Sequence, residues 1–420
     1  MRGRLVVAAT AFGVAGVLHA GTAGGQSAEG PAAYRPAAGA SPVRGATGTG
    51  GNAPVLAADP AAYTDSIAPG ESRSYGVELD DRASAYVSAV AVPRPGSRMG
   101  LRDGIDVSLL APDGTACGGV RHRSFASAGG AYPLADSAER VVKAAGGACA
   151  TAGTYRFVVR RGDATGGDAA PVQLELKYTS GPPRHTIAAA LPSAPGGWSS
   201  QAPSPRPTGR ARAVRGGTGF DDAAEIAPGA WQDRIRPGET RFYRVRVDAG
   251  EQLFADAEFG SGAAAHGPYV VGGLRVGLNN PGRGYVMNRT GSYQGRPATV
   301  SLATPPAAND GGGDGGEAAR GMSLPGWYYL QVSVSPKVRE DGGVPVALAV
   351  SVAGARPAVA TGGGAGGGGR QVTGVEPVAA AGPARRGERL RILGYAGIGT
   401  GSALLIGLGA WSLAARRRDE

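Results

Sequence analysis

The sequence predicts an all-β protein built from two tandem copies of one module, and three observations carry that reading. Residues 65–80 recur about 168 residues later as 233–248, with nine of the sixteen positions identical. The shared positions include a Pro-Gly turn and an alternating Arg, Tyr, Val series, so an internal repeat is the simplest account. Wherever apolar residues cluster outside the two chain ends they alternate at the period of a half-buried strand, and no comparable helical period occurs. The 74 glycines and 31 prolines make up a quarter of the chain, a level that marks low complexity, and their densest runs flank the two copies.

The chain begins with Arg2 and Arg4, an apolar run from Leu5 to Leu18 and small residues around Ala20 and Ala23, the three parts of a secretory signal peptide over 1–23. Cleavage after Ala20 or after Ala23 satisfies the pattern. Residues 24–54 are Gly, Ala, Ser, Thr and Pro with few apolar anchors and read as a disordered leader.

Module one is assigned to 55–178. Pro69-Gly70 makes the turn into a first strand, in which Tyr75, Val77 and Leu79 alternate against Ser74, Gly76 and Glu78. Further strands follow at 85–92 and 105–110. Pro112-Asp113-Gly114 ends the second of these as a tight turn, and a closing pair spans 154–160 and 172–178. Residues 179–219, rich in Pro, Ser, Gly and Arg, read as a solvated linker.

Module two, 220–353, repeats the order of events. Val276 and Leu278 answer Val107 and Leu109, Tyr328 answers Tyr155, and Val346, Leu348 and Val350 answer Val172, Leu174 and Leu176. A Gly/Ala-rich stalk then covers 354–389. Residues 390–415 read as a transmembrane helix, since about 24 of them from Ile392 onward pass without a charge and would reach roughly 36 Å as a helix. Arginines lie on both sides of this span, so local charge does not orient it. The signal peptide does, leaving the body outside and 416–420 as a cytoplasmic tail.

The net charge of +10 suggests a nucleic-acid partner until it is located. The signal segment supplies +2, residues 181–219 supply +5 and the region from 382 onward supplies +4. The modules and remaining flanks are left at about −1, so a basic nucleic-acid face is not supported. Cys117 and Cys149 both lie in module one. In an exported chain the pair reads as one disulfide, against two free thiols or an intermolecular bridge, and closing a loop of about 33 residues would stabilise by about 3–4 kcal/mol.

The run Ile67 to Val77, the Leu109 to Gly114 turn and Gly153 to Tyr155, with Ile235 to Val245 and Gly326 to Tyr328 in the second copy, resemble the bacterial pre-peptidase C-terminal domain. The lead-in Phe220-Asp221-Asp222-Ala223 is similar to that of actinobacterial surface proteins. The resemblance implies two tandem jelly-roll-like β-sandwich domains that serve as non-catalytic accessories. The second copy departs from the pattern where Pro281-Gly-Arg-Gly284 replaces Pro-Asp-Gly.

Catalytic constellations are not found. His122, His185 and His266 have no nucleophile-and-acid arrangement around them, and there is no nucleophile elbow and no His-Glu-x-x-His. The loop holding Asp310, Asp314 and Glu317 offers oxygen ligands of the kind Ca2+ takes, at a spacing that does not match an EF-hand; no other cofactor is indicated. Asp221-Asp222 reads as a turn or an exposed pair. Trp231, Trp327, Tyr328 and Tyr329 fall on strands, where alternation sends about half of them into the core. In the tail helix Gly397-x-x-x-Gly401 makes a small-residue face suited to self-association or a membrane partner.

No Leu-Pro-x-Thr-Gly sorting motif precedes that helix. The expectation is therefore a single-pass protein of the cell membrane, without enzymatic activity, displaying two binding modules to an envelope protein or glycan. The alternative is an accessory subunit that positions a separately encoded secreted hydrolase. The shared Glu and Arg of the repeat read as edge or surface pairs. Function is expected where the copies differ, in the loop after Cys117 and the loop around Asp310.

Overall fold

The computed structural model describes residues 31–48, 52–126, 129–142, 148–181, 209–262, 267–308 and 316–354. The expected signal peptide, transmembrane helix, Gly397, Gly401 and all of the stalk after Gly354 lie outside them. Among the described residues no helix is long and apolar enough to cross a membrane.

Among the described residues twenty strands form four five-stranded sheets. In module one, β1 (Ser41–Pro42), β3 (Ala62–Ile67), β10 (Val172–Gly181), β5 (Ser84–Val92) and β8 (Leu134–Arg140) make one sheet in the order 1-3-10-5-8. Its mate contains β2 (Val55–Leu56), β4 (Ser72–Leu79), β9 (Gly153–Arg161), β6 (Gly104–Leu110) and β7 (Ala116–Ser124) in the order 2-4-9-6-7.

Module two repeats both orders. β11 (Arg212–Ala213), β13 (Gly229–Ile235), β20 (Val344–Gly354), β15 (Glu251–Phe259) and β18 (Ala298–Ala303) form one sheet. β12 (Ala224–Glu225), β14 (Thr240–Val247), β19 (Gly326–Val334), β16 (Val270–Asn279) and β17 (Tyr285–Tyr293) form the other. The alternation read from the sequence decides the packing. Tyr75, Val77, Val107, Leu109, Phe157 and Val159 from one sheet meet Ile67, Val87, Ala89, Leu174 and Leu176 from the other in a single core. Module two has the matching core, so each module is a β-sandwich.

Every strand expected in module one is present, but the closing pair is not paired. β9 and β10 belong to opposite sheets, and the chain between them arches across the sandwich. That arch is held by Arg161, whose Nε and Nη2 donate to the Asp103 carboxylate at 3.0 and 2.7 Å while Nη1 donates to Ala170 O at 2.7 Å. Both side chains of this ion pair are fully buried. Pro69-Gly70 likewise turns the chain from one sheet to the other, with Gly70 at φ 72°.

The leader and linker assignments are corrected. Residues 31–48 are ordered, and β1 runs parallel to β3. At the other flank, β10 extends to Gly181 and β11 runs parallel to β13, leaving 182–208 outside the described residues. The physical reason is a polar cluster that the repeat supplies twice. Asp65 Oδ2 accepts from Gly45 N (2.8 Å) and from Tyr75 OH (2.8 Å), and Arg73 donates to Gly45 O (3.1 Å) and pairs with Glu71 (2.7 Å).

In module two Asp233 Oδ2 accepts from Gly216 N (2.8 Å) and Tyr243 OH (2.6 Å), with Arg241 paired to Glu239 at 2.9 Å. The shared Arg and Glu are therefore not surface pairs: Arg73, Arg241 and Glu239 are buried and Glu71 is half-buried. They reach inward because the incoming segment is short of side chains and offers backbone partners. A Cβ at Gly45 would lie 2.7 Å from the Tyr75 ring, and one at Gly216 would lie 2.8 Å from that of Tyr243.

Candidate functional site

Both modules belong to one compact unit, and the non-core face of the β1-β3-β10-β5-β8 sheet packs on the non-core face of the β12-β14-β19-β16-β17 sheet. Val90 and Ala135 from module one meet Phe220, Ala223 and Phe242 from module two, flanked by Tyr34, Val92 and Tyr329. This is why β5 is buried on both faces, which a half-buried strand would not be.

At the centre of the apposition lies Glu175 of β10, itself buried. It accepts Arg283 Nη1 at 2.7 Å and the Tyr34 hydroxyl at 2.5 Å. Burial pulls the Arg283 guanidinium down, but Glu175 more than offsets it and the pKa is raised. Burial raises the Tyr34 hydroxyl well above its ordinary value, and Glu175 adds to the shift. The Pro-Gly-Arg-Gly departure of the second copy belongs to this contact. Arg283 stands at φ 60°, a conformation that long side chains rarely take. A Cβ at Gly282 or Gly284 would meet Tyr86 at 3.0 Å or the Ser137 hydroxyl at 2.5 Å. The leader reaches the same region, with Ala32 N donating to Glu239 at 2.8 Å and Tyr34 packed edge-on against Phe242.

Elements that adjoin the two loops that distinguish the copies meet at one end of this contact. Cys117 and Cys149 form a disulfide with Cα atoms 5.8 Å apart, and Cys117 opens β7, the strand that carries His122 and Arg123. Cys149 sits in a short 3-10 turn (Ala148–Ala150) whose carbonyl accepts Arg140 Nε at 2.8 Å. From module two, the acidic loop ends in a short helix α1 (Gly316–Gly321) carrying Glu317.

Arg123 joins them. Its Nε donates to Asp136 at 2.6 Å, its Nη2 pairs with Glu317, and its guanidinium lies 3.8 Å from the centre of the Tyr285 ring. Burial pulls Arg123 down and the two carboxylates more than restore it, so its pKa is raised. Burial pushes Asp136 up, only partly opposed by Arg123. Glu317 is thus an ion-pair partner of Arg123, with Arg320 at 3.8 Å, on a helix where a loop was expected. Asp310 and Asp314 lie outside the described residues, and among the described residues no group of three or more potential ligands could hold a metal ion.

Between these elements is a cavity of about 90 Å³ lined by His122, Arg123, Arg275, Asn279, Tyr285 and Asn288 among others. His122 Nδ1 lies 2.6 Å from Asp106 at the exposed rim. Arg275 is buried; its Nη1 donates to Gln331 at 3.0 Å and its Nε has no partner. Burial pulls its pKa down, opposed only by Tyr132 and Tyr285. Arg275 and Gln331 were not singled out from sequence. The available signal was the non-core register of β16 and β19, where Arg275, Asn279 and Gln331 occupy positions that solvent-facing residues would otherwise fill.

The remaining candidates are dispersed. Asp222 closes a turn, accepting Gly219 N at 2.7 Å and Thr218 Oγ1 at 2.9 Å. Trp231 and Trp327 are half-buried on different sheets, with Arg212 over the first ring and Arg244 and Arg246 over the second. Tyr328 is in the core and Tyr329 in the contact between modules, so the four aromatics form no common platform. His185 and His266 lie outside the described residues. An open groove of about 500–600 Å³ recurs beside Asp65 with Pro171 and beside Asp233 with Pro345, but both carboxylates are already committed to the repeat's own cluster.

No protein-family model matches the chain, and no curated protein matches it. Among solved structures, the tandem CBM22 domains of Xyn10C from Paenibacillus barcinonensis are 9% identical, over 71% of this chain and 93% of that one, with a TM-score of 0.20. The tandem CBM51 modules of a family 98 glycoside hydrolase from Streptococcus pneumoniae are 9% identical over 68% and 82%, at 0.19. The ANX1 ectodomain from Arabidopsis thaliana is 12% identical over 69% and 82%, at 0.18. Likenesses at this level carry no argument about the chain, whose fold rests on its own sheets.

Proposed function

We propose that this chain is a non-enzymatic, membrane-anchored surface protein whose two modules act as one rigid recognition or scaffolding unit of the cell envelope. The observation that carries the reading is the face-to-face packing around Glu175 and Arg283. It fixes the two modules in one orientation and sets β7, which carries Cys117, against α1, which follows the acidic loop. A flexible pair of beads would present two independent surfaces; the buried ion pair makes one composite surface.

The pre-peptidase C-terminal resemblance supports the accessory role. With the two-residue strands β1 and β2 set aside, the order β3-β10-β5-β8 against β4-β9-β6-β7 supports the jelly-roll reading, in which two four-stranded sheets are joined by long crossovers. The apolar run near the N-terminus and the uncharged tail segment support export and anchoring.

The test is binding of the full-length chain, purified in detergent, to isolated envelope glycan and to envelope fragments. Saturable retention supports the reading. Retention on neither overturns it, and co-purification of one stoichiometric hydrolase moves the assignment to an accessory subunit.

A further inference from the structure

Among the described residues no carboxylate faces the buried charge of Arg275, which meets only the Gln331 amide and the Tyr132 ring. Arginine stays ionised in proteins, and burying its charge without a counter-ion or a full set of acceptors is unfavourable. The other deeply buried arginines meet this requirement. Arg73, Arg161, Arg241 and Arg283 each face a carboxylate within 3 Å. Arg140, which has none, donates to three carbonyl oxygens, of Cys149, Ala83 and Thr151. Arg275 has one neutral amide acceptor, the Tyr132 ring 5.7 Å away and no carboxylate among the described residues; its Nε has no partner, as in Arg73 and Arg241, but those two have a carboxylate on the guanidinium.

It also borders the cavity described above, and no acidic residue lines that cavity. The other lining cation, Arg123, is occupied by Asp136 and Glu317. Room for the guanidinium is built in, since Gly277 lies beside it and a Cβ there would fall 2.7 Å from Nη2. Asn279 is held in place, donating through Nδ2 to Ala135 O and Arg283 O and accepting Gln331 Nε2 at 2.7 Å. The polar network therefore fixes Gln331, and through it Arg275, at the cavity wall.

We propose that this cavity between the modules binds a small oxyanion, either inorganic sulfate or phosphate or a carboxylate borne by a larger molecule, with Arg275 as its anchoring charge. The ligand supplies the negative charge that none of the described residues places there. The proposal is independent of where the protein resides and of any macromolecular partner.

Thermal melting of the full-length chain in detergent tests it, with sulfate or acetate replacing chloride at constant ionic strength. The expected result is a saturable rise in Tm of a few degrees with at least one of the two anions. A response to sulfate alone assigns a tetrahedral oxyanion, and a response to acetate assigns a carboxylate. Arg275→Gln should abolish the response. Asn288 lines the cavity two positions along β17 from Thr290, the partner of Arg275 in β16. Asn288→Asp keeps an acceptor for the Tyr285 hydroxyl and supplies the missing carboxylate from within the chain. It should raise Tm in chloride and remove the anion response, which keeps the proposal testable if Arg275→Gln does not fold. No response of the wild type to either anion, or a response that survives in Asn288→Asp, would overturn the proposal.

Discussion

Replacing Glu175 with alanine should uncouple the two modules. The carboxylate accepts Arg283 Nη1 at 2.7 Å and the Tyr34 hydroxyl at 2.5 Å, and both it and Arg283 are buried, with side-chain exposures of 1% and 5%. Two hydrogen bonds to a charged acceptor correspond to about 3–6 kcal/mol at about 1.5–3 each. Breaking a buried ion pair from one side costs about 3–5 kcal/mol, because the surviving charge is left without a partner. The two routes agree, so a loss of about 3–5 kcal/mol is expected for Glu175→Ala.

That loss falls on the contact between modules and not on either core. Calorimetry of the full-length chain should therefore change from one cooperative transition to two. Removing both charges, as Glu175→Leu with Arg283→Met, should recover most of the loss, since replacing a buried pair by apolar groups is often neutral. A single transition lowered by less than about 1 kcal/mol in Glu175→Ala, below the range for a broken buried pair, would show that the pair does not hold the modules together.

Further outcomes follow from the same geometry. Gly45→Ala and Gly216→Ala should each destabilise by about 1–3 kcal/mol, since the new methyl meets a tyrosine ring with no room to move; urea denaturation measures it, and an unchanged midpoint would contradict the close approach. Reducing Cys117–Cys149, whose sequence separation is 32, should cost about 3–4 kcal/mol, read as a lower Tm in reductant and absent in a Cys117→Ser/Cys149→Ser variant. Burial and an adjacent carboxylate raise the hydroxyls of Tyr75 and Tyr243 above the ordinary value of 10.0. Their contribution is whole below about pH 10 and is lost as the unfolded tyrosines ionise above it, at about 1.4 kcal/mol per pH unit for each. Melting between pH 9 and 12 checks this, and Tyr75→Phe should flatten the slope.

Much of the fold was legible because it is written locally. Tyr75, Val77 and Leu79 alternate, Pro69-Gly70 turns the chain, and the second copy repeats both. The flanking strands were not legible in the same way. β1 and β11 carry almost no apolar residues, and they are held by backbone groups of Gly45 and Gly216 that only the folded Asp65 and Asp233 clusters make visible. One signal was present: Val43-Arg44-Gly45 and Val214-Arg215-Gly216 are a second repeat just ahead of the first. Beside the loops that differ between copies, Arg123 of β7 and Glu317 of α1 meet. Their meeting depends on two polar sheet faces pressing together, and a face bearing Arg275, Asn279 and Gln331 reads as solvated in any one-dimensional pattern.

The four two-residue strands β1, β2, β11 and β12 have a consequence for crowding. Each runs parallel to its neighbour at one margin of a sheet, so each sheet there ends in a stub too short to template another chain. On the opposite margin β7 is interrupted by a register shift and by Gly118 and Gly119 at positive φ, and it carries Arg121, His122 and Arg123. Short, kinked and charged margins are the features that keep sheet proteins from joining edge to edge. Copies held side by side at high local concentration are thereby discouraged from joining at these margins.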